Sequence, residues 1–222
     1  MIVEWIVRTK EVRGVEESFL AEMGRAERTL ARRDPVLRGL IDRYGPCTLR
    51  PHSRHFETLV NSIVSQQLST RAAATIFARF RALYPGRRFP SATAILETPD
   101  ESLRGVGLSF QKIGYIRDLA EKVGQGGLRP ARLTDLDDAE VIRVLTGVKG
   151  IGVWTAQMFL IFSLGRLDVL PVGDLGIRKA IRDRFGLAAL PEAGEIEALA
   201  GERRWAPWRS VASWYLWRSL EN

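Results

Sequence analysis

The chain has 222 residues, of which 45% are hydrophobic and 27% are charged, and these proportions are ordinary for a globular protein with a buried core. Its 33 basic residues outnumber the 26 acidic ones, and the net charge of +7 favours a polyanionic partner such as nucleic acid. The single cysteine excludes an internal disulfide and any four-cysteine zinc or iron–sulfur site. With no signal peptide and no run of about 18 apolar residues, we expect a cytoplasmic protein without a membrane partner.

Helical periodicity extends over most of the chain. In chain order, the predicted helices are residues 18–33, 35–44, 55–68, 70–84, 93–97, 100–105, 110–124, 137–146, 153–164, 174–185, 192–201 and 207–220. Only residues 1–8 and 168–172 have an extended character, so the sequence predicts an all-α fold. Residues 1–17 lack the helical pattern, and we expect an N-terminal arm there, either a strand or a flexible segment.

A short glycine-rich turn, Val148–Gly152, joins two of the predicted helices. Its Gly-x-Gly pattern exposes backbone N–H groups at a helix N-terminus, where they can hold a phosphate group. Lys149 inside the turn, Thr155 just after it and the net positive charge favour a nucleic-acid backbone as the ligand. The same pattern also fits an ordinary helix–helix turn in which a glycine ends the first helix.

A single carboxylate, Asp174, follows Pro171, Val172 and Gly173 at the predicted start of a helix. This position is typical of an N-cap, whose side-chain oxygen accepts backbone N–H groups. A carboxylate held in this way stays ionised at neutral pH and can stabilise positive charge on a sugar when a glycosidic bond breaks. A cap and a catalyst are therefore compatible roles, while Asp168 has the character of a structural residue.

A polar segment, Ser65–Ser69, contains Gln66, Gln67 and Leu68 at the end of a predicted helix. Two glutamines in this context belong either to a solvated loop or to a group of side chains that enter a duplex in place of an extruded base. The residues alone leave both interpretations open.

Aromatic residues are concentrated near the C-terminus. They are Trp205, Trp208, Trp214, Tyr215 and Trp217, and Trp154 follows the glycine-rich turn. Core packing accounts for some of them, but tryptophan and tyrosine rings also stack on nucleobases. A basic chain with these aromatics and one candidate carboxylate is consistent with the capture of a base.

Four sequence blocks resemble the helix–hairpin–helix DNA glycosylase superfamily and, within it, the 3-methyladenine DNA glycosylase II branch of alkylation repair. The blocks are residues 65–69, 107–113, 145–157 and 205–210 together with Trp217. The resemblance implies two helical lobes with a cleft between them. One lobe comprises residues 18–56 and 166–222, and the other comprises residues 57–165 with the helix–hairpin–helix motif at about 138–164.

The resemblance implies a monofunctional DNA glycosylase of base excision repair. Such an enzyme flips alkylated purines of the 3-methyladenine type out of duplex DNA and hydrolyses the N-glycosidic bond, which leaves an abasic site. Members of the superfamily that also cleave the strand carry a lysine at the position of Trp154, and tryptophan cannot form their Schiff base. The alternatives are a non-catalytic helix–hairpin–helix clamp, in which Asp174 is only a cap, and a bifunctional glycosylase/lyase.

The same resemblance assigns roles to individual residues, with Asp174 as the catalytic carboxylate. The base pocket is assigned to Trp154, Met158 and Trp217. Contacts with DNA are predicted at Gln66, Gln67, Leu68, Lys149, Gly150, Gly152 and Thr155, with Gln67 or Leu68 as the wedge that fills the gap left by the flipped base. The backbone carbonyls of Thr146, Val148 and Ile151 are expected to hold Na⁺ or K⁺, and no other cofactor is expected. The expected partner is damaged duplex DNA, bound by a monomer.

Overall fold

The computed structural model describes residues 13–86 and 88–221, except for the side chains of residues 13–16. Within these residues every regular element is helical, which confirms the predicted all-α class. The α-helices are α1 (Arg13–Arg33), α2 (Pro35–Tyr44), α3 (His55–Ser65), α4 (Thr70–Ala82), α5 (Ala92–Glu97), α6 (Asp100–Gly105), α7 (Phe110–Gly124), α8 (Asp138–Thr146), α9 (Val153–Phe162), α10 (Leu175–Phe185), α11 (Ala193–Glu202) and α12 (Arg209–Arg218), and a 3-10 helix spans Pro130–Asp135. None of the described helices is both long and apolar enough to span a bilayer.

The chain forms two compact units. The first contains the described residues up to His52 and those from Leu160 onwards, and the second contains Ser53–Phe159. The lobes expected from the sequence meet at two boundaries, one after residue 56 and one after residue 165. The observed boundaries lie earlier in the chain, because all of α3 belongs to the second unit and the division falls inside α9.

In the first unit, α12 is the central helix and packs against α1, α2 and α10. All residues from Ser210 to Trp217 are buried, so this helix has no polar stripe that faces water. The hydroxyl oxygen of Tyr215 lies 2.9 Å from Glu27 Oε1 and 2.8 Å from Gly45 O, which ties α12 to α1 and to the end of α2. A helix enclosed in this way gives Trp217 a fixed position.

In the second unit, α7 packs against α3, α5 and α6. Its buried side chains Ile113, Ile116 and Leu119 recur every three residues and form the apolar stripe of an amphipathic helix. Ser109 caps this helix, since its hydroxyl oxygen accepts the N–H of Lys112 at 3.2 Å. The stripe anchors α7 in the core, and the side chains beside the stripe are placed to make polar contacts with nearby turns.

Two expectations about the backbone are wrong. The sequence predicts an arm over residues 1–17, but residues 13–17 form the first turns of α1. The apolar periodicity of α1 begins only at Phe19, so it could not mark the turns before it. Residues 168–172 are not a strand in the described part of the chain, because side chains of α12 hold this segment instead. The expectations for residues 1–12 lie outside the described residues.

Candidate functional site

The turn between α8 and α9, residues 147–152, presents backbone donors, and we call it the hairpin. Among the described residues, the amides of Gly150 and Gly152 donate to no acceptor. The segment Thr146–Gly152 lines an open depression of about 440 Å³. Unpaired N–H groups at the start of a helix attract anions, so the amides of the hairpin are open to an anionic ligand.

The two glycines of the hairpin have different structural requirements. Gly150 has a φ of +81°, and a Cβ atom on it would lie 2.1 Å from Cδ2 of Tyr115. Only glycine fits this close approach of the backbone to an aromatic ring. A Cβ atom on Gly152 would meet nothing within 4 Å. The fold therefore requires Gly150, whereas Gly152 leaves the backbone open to a ligand.

The buried carboxylate of Asp118 fixes the hairpin from α7. Its Oδ2 accepts a hydrogen bond from the backbone N–H of Lys149 at 2.9 Å and another from Nζ of Lys122 at 2.7 Å. Burial alone would raise the pKa of Asp118, but these hydrogen bonds and the charges of both lysines outweigh burial and hold the pKa below its ordinary value of 3.8. Sequence reasoning missed Asp118, because its spacing from Lys122 indicates only an ion pair on a helix surface.

The turn between α3 and α4, residues 66–69, exposes Gln67 and Leu68. Leu68 is 38% exposed. Gln67 has a φ of +57°, a left-handed conformation that costs a residue other than glycine about 1 kcal/mol. Both side chains are accessible, as the predicted wedge must be. Gln66 differs, since it is half-buried and its Nε2 donates to Gly150 O at 2.7 Å, a contact within the protein where the sequence predicts a contact with DNA.

Other predicted residues lie in the hairpin and in the first turns of α9. Trp154 is 47% exposed and the side chain of Lys149 is 74% exposed, so both can reach a ligand. Met158, one turn after Trp154, is partly exposed. Thr155 is only 8% exposed, because it lies on the buried side of α9 with Phe159. Its side chain is therefore not placed for the predicted contact with DNA.

Asp174 is the N-cap of α10, as its place in the sequence predicts. Its Oδ1 accepts the backbone N–H of Ile177 at 2.8 Å and the indole N–H of Trp217 at 2.8 Å. The residue is 5% exposed. Two N–H donors on one oxygen stabilise the negative charge and fix the orientation of the side chain. This arrangement suits a carboxylate that stabilises positive charge in a reacting group.

Trp217 supports Asp174 from the buried side. It is 3% exposed, and its ring lies against Phe162 with the centroids 5.6 Å apart. Gly176 leaves room for the pair, since a Cβ atom there would lie 2.9 Å from Asp174 Oδ1 and 3.1 Å from Trp217 Cδ1. The family resemblance assigns Trp217 to the base pocket, and in the structure its ring is buried while its N–H group holds Asp174.

Two residues at the start of α12 hold the segment that leads to Asp174. Arg209 donates from Nε and Nη2 to the two oxygens of Asp168, at 2.7 and 2.9 Å. The Oγ of Ser210 accepts the N–H of Val169 at 2.9 Å. The bidentate ion pair gives Asp168 a structural role, which leaves Asp174 as the carboxylate suited to chemistry in this segment.

Comparison with known sequences identifies similar proteins. A family model described as HhH-GPD superfamily base excision DNA repair protein matches residues 60–207, which include the hairpin and Asp174. The chain is 33% identical over 198 residues to the Alkylbase DNA glycosidase-like protein mag2 of Schizosaccharomyces pombe, and this match covers 87% of the chain and 92% of that protein. It is 36% identical over 182 residues to DNA-3-methyladenine glycosylase 1 of the same organism, with coverage of 81% and 78%.

Solved structures of proteins with similar names have a similar fold. The structure of Schizosaccharomyces pombe 3-methyladenine DNA glycosylase in complex with abasic DNA matches with a TM-score of 0.78 and 33% identity, covering 89% of this chain and 97% of that chain. A DNA-3-methyladenine glycosidase from Bacillus halodurans matches with a TM-score of 0.78 and 38% identity, covering 89% of each chain.

Proposed function

Because the chain belongs to the HhH-GPD superfamily of base excision DNA repair proteins, we propose that it is a DNA glycosylase that excises alkylated purines of the 3-methyladenine type from duplex DNA. Relatives that match most of its length are named for alkylbase or 3-methyladenine glycosylases, which supports this substrate class. The product is an abasic site, from which later steps of base excision repair proceed. We place the enzyme in the cytoplasm, at the nucleoid.

The geometry of Asp174 is the observation that carries the proposal of catalysis. When the bond between sugar C1′ and the purine nitrogen breaks, the base leaves with the electron pair and positive charge develops on the sugar. A carboxylate fixed by the N–H groups of Ile177 and Trp217 can stabilise this charge without reorganising. Water then adds to C1′ and loses a proton, so that a hydroxyl group replaces the base. Asp174 stabilises the sugar cation and orients this water.

Asp34 is an aspartate with a purely structural role in the same protein. It caps α2, with Oδ1 accepting the N–H groups of Val36 and Leu37, and its Oδ2 accepts the indole N–H of Trp205 at 2.9 Å. Asp34 is fully buried and uses both oxygens within the fold. Asp174 has the same two kinds of donor, a backbone N–H group in the first turn of its helix from Ile177 and an indole N–H group from Trp217. Asp34 is therefore a matched control for substitutions at Asp174.

Features of the second unit support binding of DNA. The amides of Gly150 and Gly152 hold a phosphate of the backbone. Gln67 or Leu68 enters the duplex and fills the space of the extruded base. Trp154 then stacks on that base, since an indole face attracts the cationic ring of an alkylated purine. Because Trp154 offers no amine for a Schiff base, the reaction is hydrolytic and the enzyme is monofunctional.

We also propose that Na⁺ or K⁺ binds the hairpin and strengthens its hold on a phosphate. The carbonyls of Thr146, Val148 and Ile151 are neutral oxygen donors, which suit a hard cation of low charge. Among the described residues, the carbonyl oxygens of Thr146 and Ile151 accept no hydrogen bond, while Val148 O accepts one from Ile151 N at 3.1 Å. Replacing both ions by tetramethylammonium at constant ionic strength should weaken duplex binding several-fold, and an unchanged affinity excludes the cation.

The proposed activity is tested on duplex DNA treated with a methylating agent, with the released bases separated by chromatography. The wild type should release methylated purines. Asp174→Asn should release none and should bind the duplex with the affinity of the wild type. Asp34→Asn removes a charge from an equivalent cap, so it should lower stability and leave excision intact.

Two other outcomes identify the alternatives. Tight binding of the duplex by the wild type without release of any base, with Asp174→Asn changing only stability, identifies a non-catalytic clamp. Borohydride should trap no covalent complex with DNA, because Trp154 replaces the lysine of the lyases. A trapped complex identifies a bifunctional glycosylase/lyase.

A further inference from the structure

One face of α7 contacts both of the turns that the proposed function places on DNA. Lys112, Tyr115 and Asp118 follow one another at intervals of three residues, so they lie on the same side of the helix. We call these three residues the α7 brace. Lys112 contacts the turn 66–69, whereas Tyr115 and Asp118 contact the hairpin.

Lys112 closes the C-terminal end of α3. Its Nζ donates to Val64 O at 2.6 Å and to Gln66 O at 2.7 Å. The last carbonyls of a helix lack partners within the helix, and a cation beside them interacts favourably with the helix dipole. Burial lowers the pKa of Lys112, as expected for an ammonium group withdrawn from water. These contacts fix where α3 ends, and hence where Gln67 and Leu68 begin to project.

Tyr115 and Asp118 fix the hairpin in the same way from the same helix. The backbone of Gly150 approaches the Tyr115 ring so closely that an added Cβ atom would lie 2.1 Å from Cδ2. One turn further along α7, Asp118 Oδ2 accepts the backbone N–H of Lys149 at 2.9 Å. The two contacts restrain consecutive residues of the hairpin.

Gln66 joins the two turns directly and closes the network. Its backbone carbonyl accepts from Lys112, and its side-chain Nε2 donates to Gly150 O at 2.7 Å. The turn 66–69, the hairpin and α7 therefore form a closed ring of contacts within the second unit. Because of these contacts, a displacement of the turn 66–69 also displaces the hairpin, and a displacement of the hairpin also displaces the turn.

We propose that the α7 brace and Gln66 set the spacing between the hairpin amides and the side chains of Gln67 and Leu68, so that holding a phosphate and entering the duplex occur as one event. The inference rests on the proposed function, because it takes duplex DNA as the ligand. Lys112 and Gln66 are positioning residues, since neither is placed on the reacting atoms.

The test compares binding to two duplexes of one sequence, one intact and one containing a tetrahydrofuran abasic analogue. The variants are Lys112→Met and Gln66→Ala, with Lys179→Met as a control that removes the same charge from an exposed position. The affinity for the intact duplex should stay within about threefold of the wild type, because phosphate contacts supply it. The preference for the abasic duplex should fall about tenfold in Lys112→Met and Gln66→Ala, because the inserted side chain is misplaced.

Further variants separate positioning from general stability. Lys112→Arg keeps a cation that can donate to two carbonyls, so it should restore most of the preference that Lys112→Met loses. The double variant of Lys112 and Gln66 should be no worse than either single variant, because both belong to one network. Thermal unfolding identifies variants that fail to fold. If Lys112→Met is among them, the preference of Gln66→Ala for the abasic duplex tests the proposal.

The outcomes distinguish this inference from the proposed function. An unchanged preference in the folded variants overturns the inference, as does an equal loss in Lys179→Met or a wild type that binds both duplexes equally. Excision of methylated purines is measured separately on the wild type. If the wild type excises nothing but its preference for the abasic duplex depends on Lys112 and Gln66, the proposed function fails and the positioning role stands.

Discussion

The indole nitrogen of Trp217 lies 2.8 Å from Oδ1 of Asp174, and this hydrogen bond joins the end of α12 to the first turn of α10. The same kind of pair occurs between Trp205 and Asp34 at 2.9 Å. A hydrogen bond to a charged group contributes about 1.5–3 kcal/mol to stability. Both tryptophans therefore support the fold, but only Trp217 supports the carboxylate to which we assign catalysis.

Trp217→Phe should reduce excision more than it reduces stability. Phenylalanine keeps an aromatic ring against Phe162 but removes the N–H group, so Asp174 loses one of the two donors on Oδ1. We expect the single-turnover rate of excision at saturating enzyme to fall by about 10- to 100-fold, because the carboxylate is no longer held in one orientation. The affinity for duplex DNA should not change.

Trp205→Phe is the control for this prediction. It removes the indole donor to Asp34, which has no assigned role in chemistry. Thermal unfolding should show a loss of stability similar to that of Trp217→Phe, and excision should remain at the wild-type rate. An equal loss of excision in both variants would show that the first unit had loosened in general, which would contradict a specific role for Trp217.

Alanine substitutions at Gly150 and Gly152 should have different effects. Gly150→Ala places a methyl group against the ring of Tyr115 at a positive φ, so the free energy of unfolding should fall by about 2–4 kcal/mol. Gly152→Ala meets no neighbour, so it should cost less than about 1 kcal/mol and should weaken duplex binding by blocking the approach of a phosphate. Urea unfolding and duplex titration measure the two effects. Equal destabilisation by Gly150→Ala and Gly152→Ala would contradict the structural role of Gly150 and the binding role of Gly152.

Much of the fold could be predicted from the sequence, because the signals are local. Helical periodicity predicts the all-α class, the spacing of Gly150 and Gly152 predicts a hairpin, and Asp174 is predicted as a cap from its place before a helix. The family resemblance is confirmed by the match over residues 60–207. Each of these signals is contained in a short window of the chain.

The contacts that the sequence does not predict join distant parts of the chain. Asp118 reaches Lys149 across 31 residues and Gln66 reaches Gly150 across 84 residues, and no pattern in a single sequence reports such pairs. The burial of Trp217 was also unpredictable, since a cluster of tryptophans indicates aromatic packing but does not show which ring faces a ligand.

Asp118→Asn should flatten the dependence of stability on acid pH. The pKa of Asp118 in the fold lies below its ordinary value of 3.8, so the unfolded chain binds a proton more readily than the folded chain. The stabilisation by ionised Asp118 is complete above the unfolded-state pKa and is lost as the pH falls through the folded-state pKa. Below about pH 4, the wild type should lose stability more steeply than the variant in urea unfolding.

Asp183→Asn is the control for the acid dependence. Asp183 pairs with Arg182 at 2.7 Å, but the pair lies at the surface, with 38% of the Arg182 side chain and 43% of the Asp183 side chain exposed. An exposed pair contributes little to stability, so this substitution should leave the slope of stability against pH nearly unchanged. If the wild type and Asp118→Asn give parallel curves, Asp118 does not anchor the hairpin through its charge.

Lys149→Met should weaken binding of duplex DNA without changing the rate of excision at saturation. The side chain is 74% exposed, and its Nζ lies 3.9 Å from Asp118 Oδ1, a distance at which the pair contributes little and the ammonium group can turn to a phosphate. Loss of one phosphate contact reduces the slope of log affinity against log salt by about 1. Arg132→Met is the control. Because Arg132 is paired with Asp135 at 2.6 Å, this substitution should change the slope of log affinity against log salt less than Lys149→Met does. An unchanged slope in Lys149→Met would show that this lysine does not contact the DNA backbone.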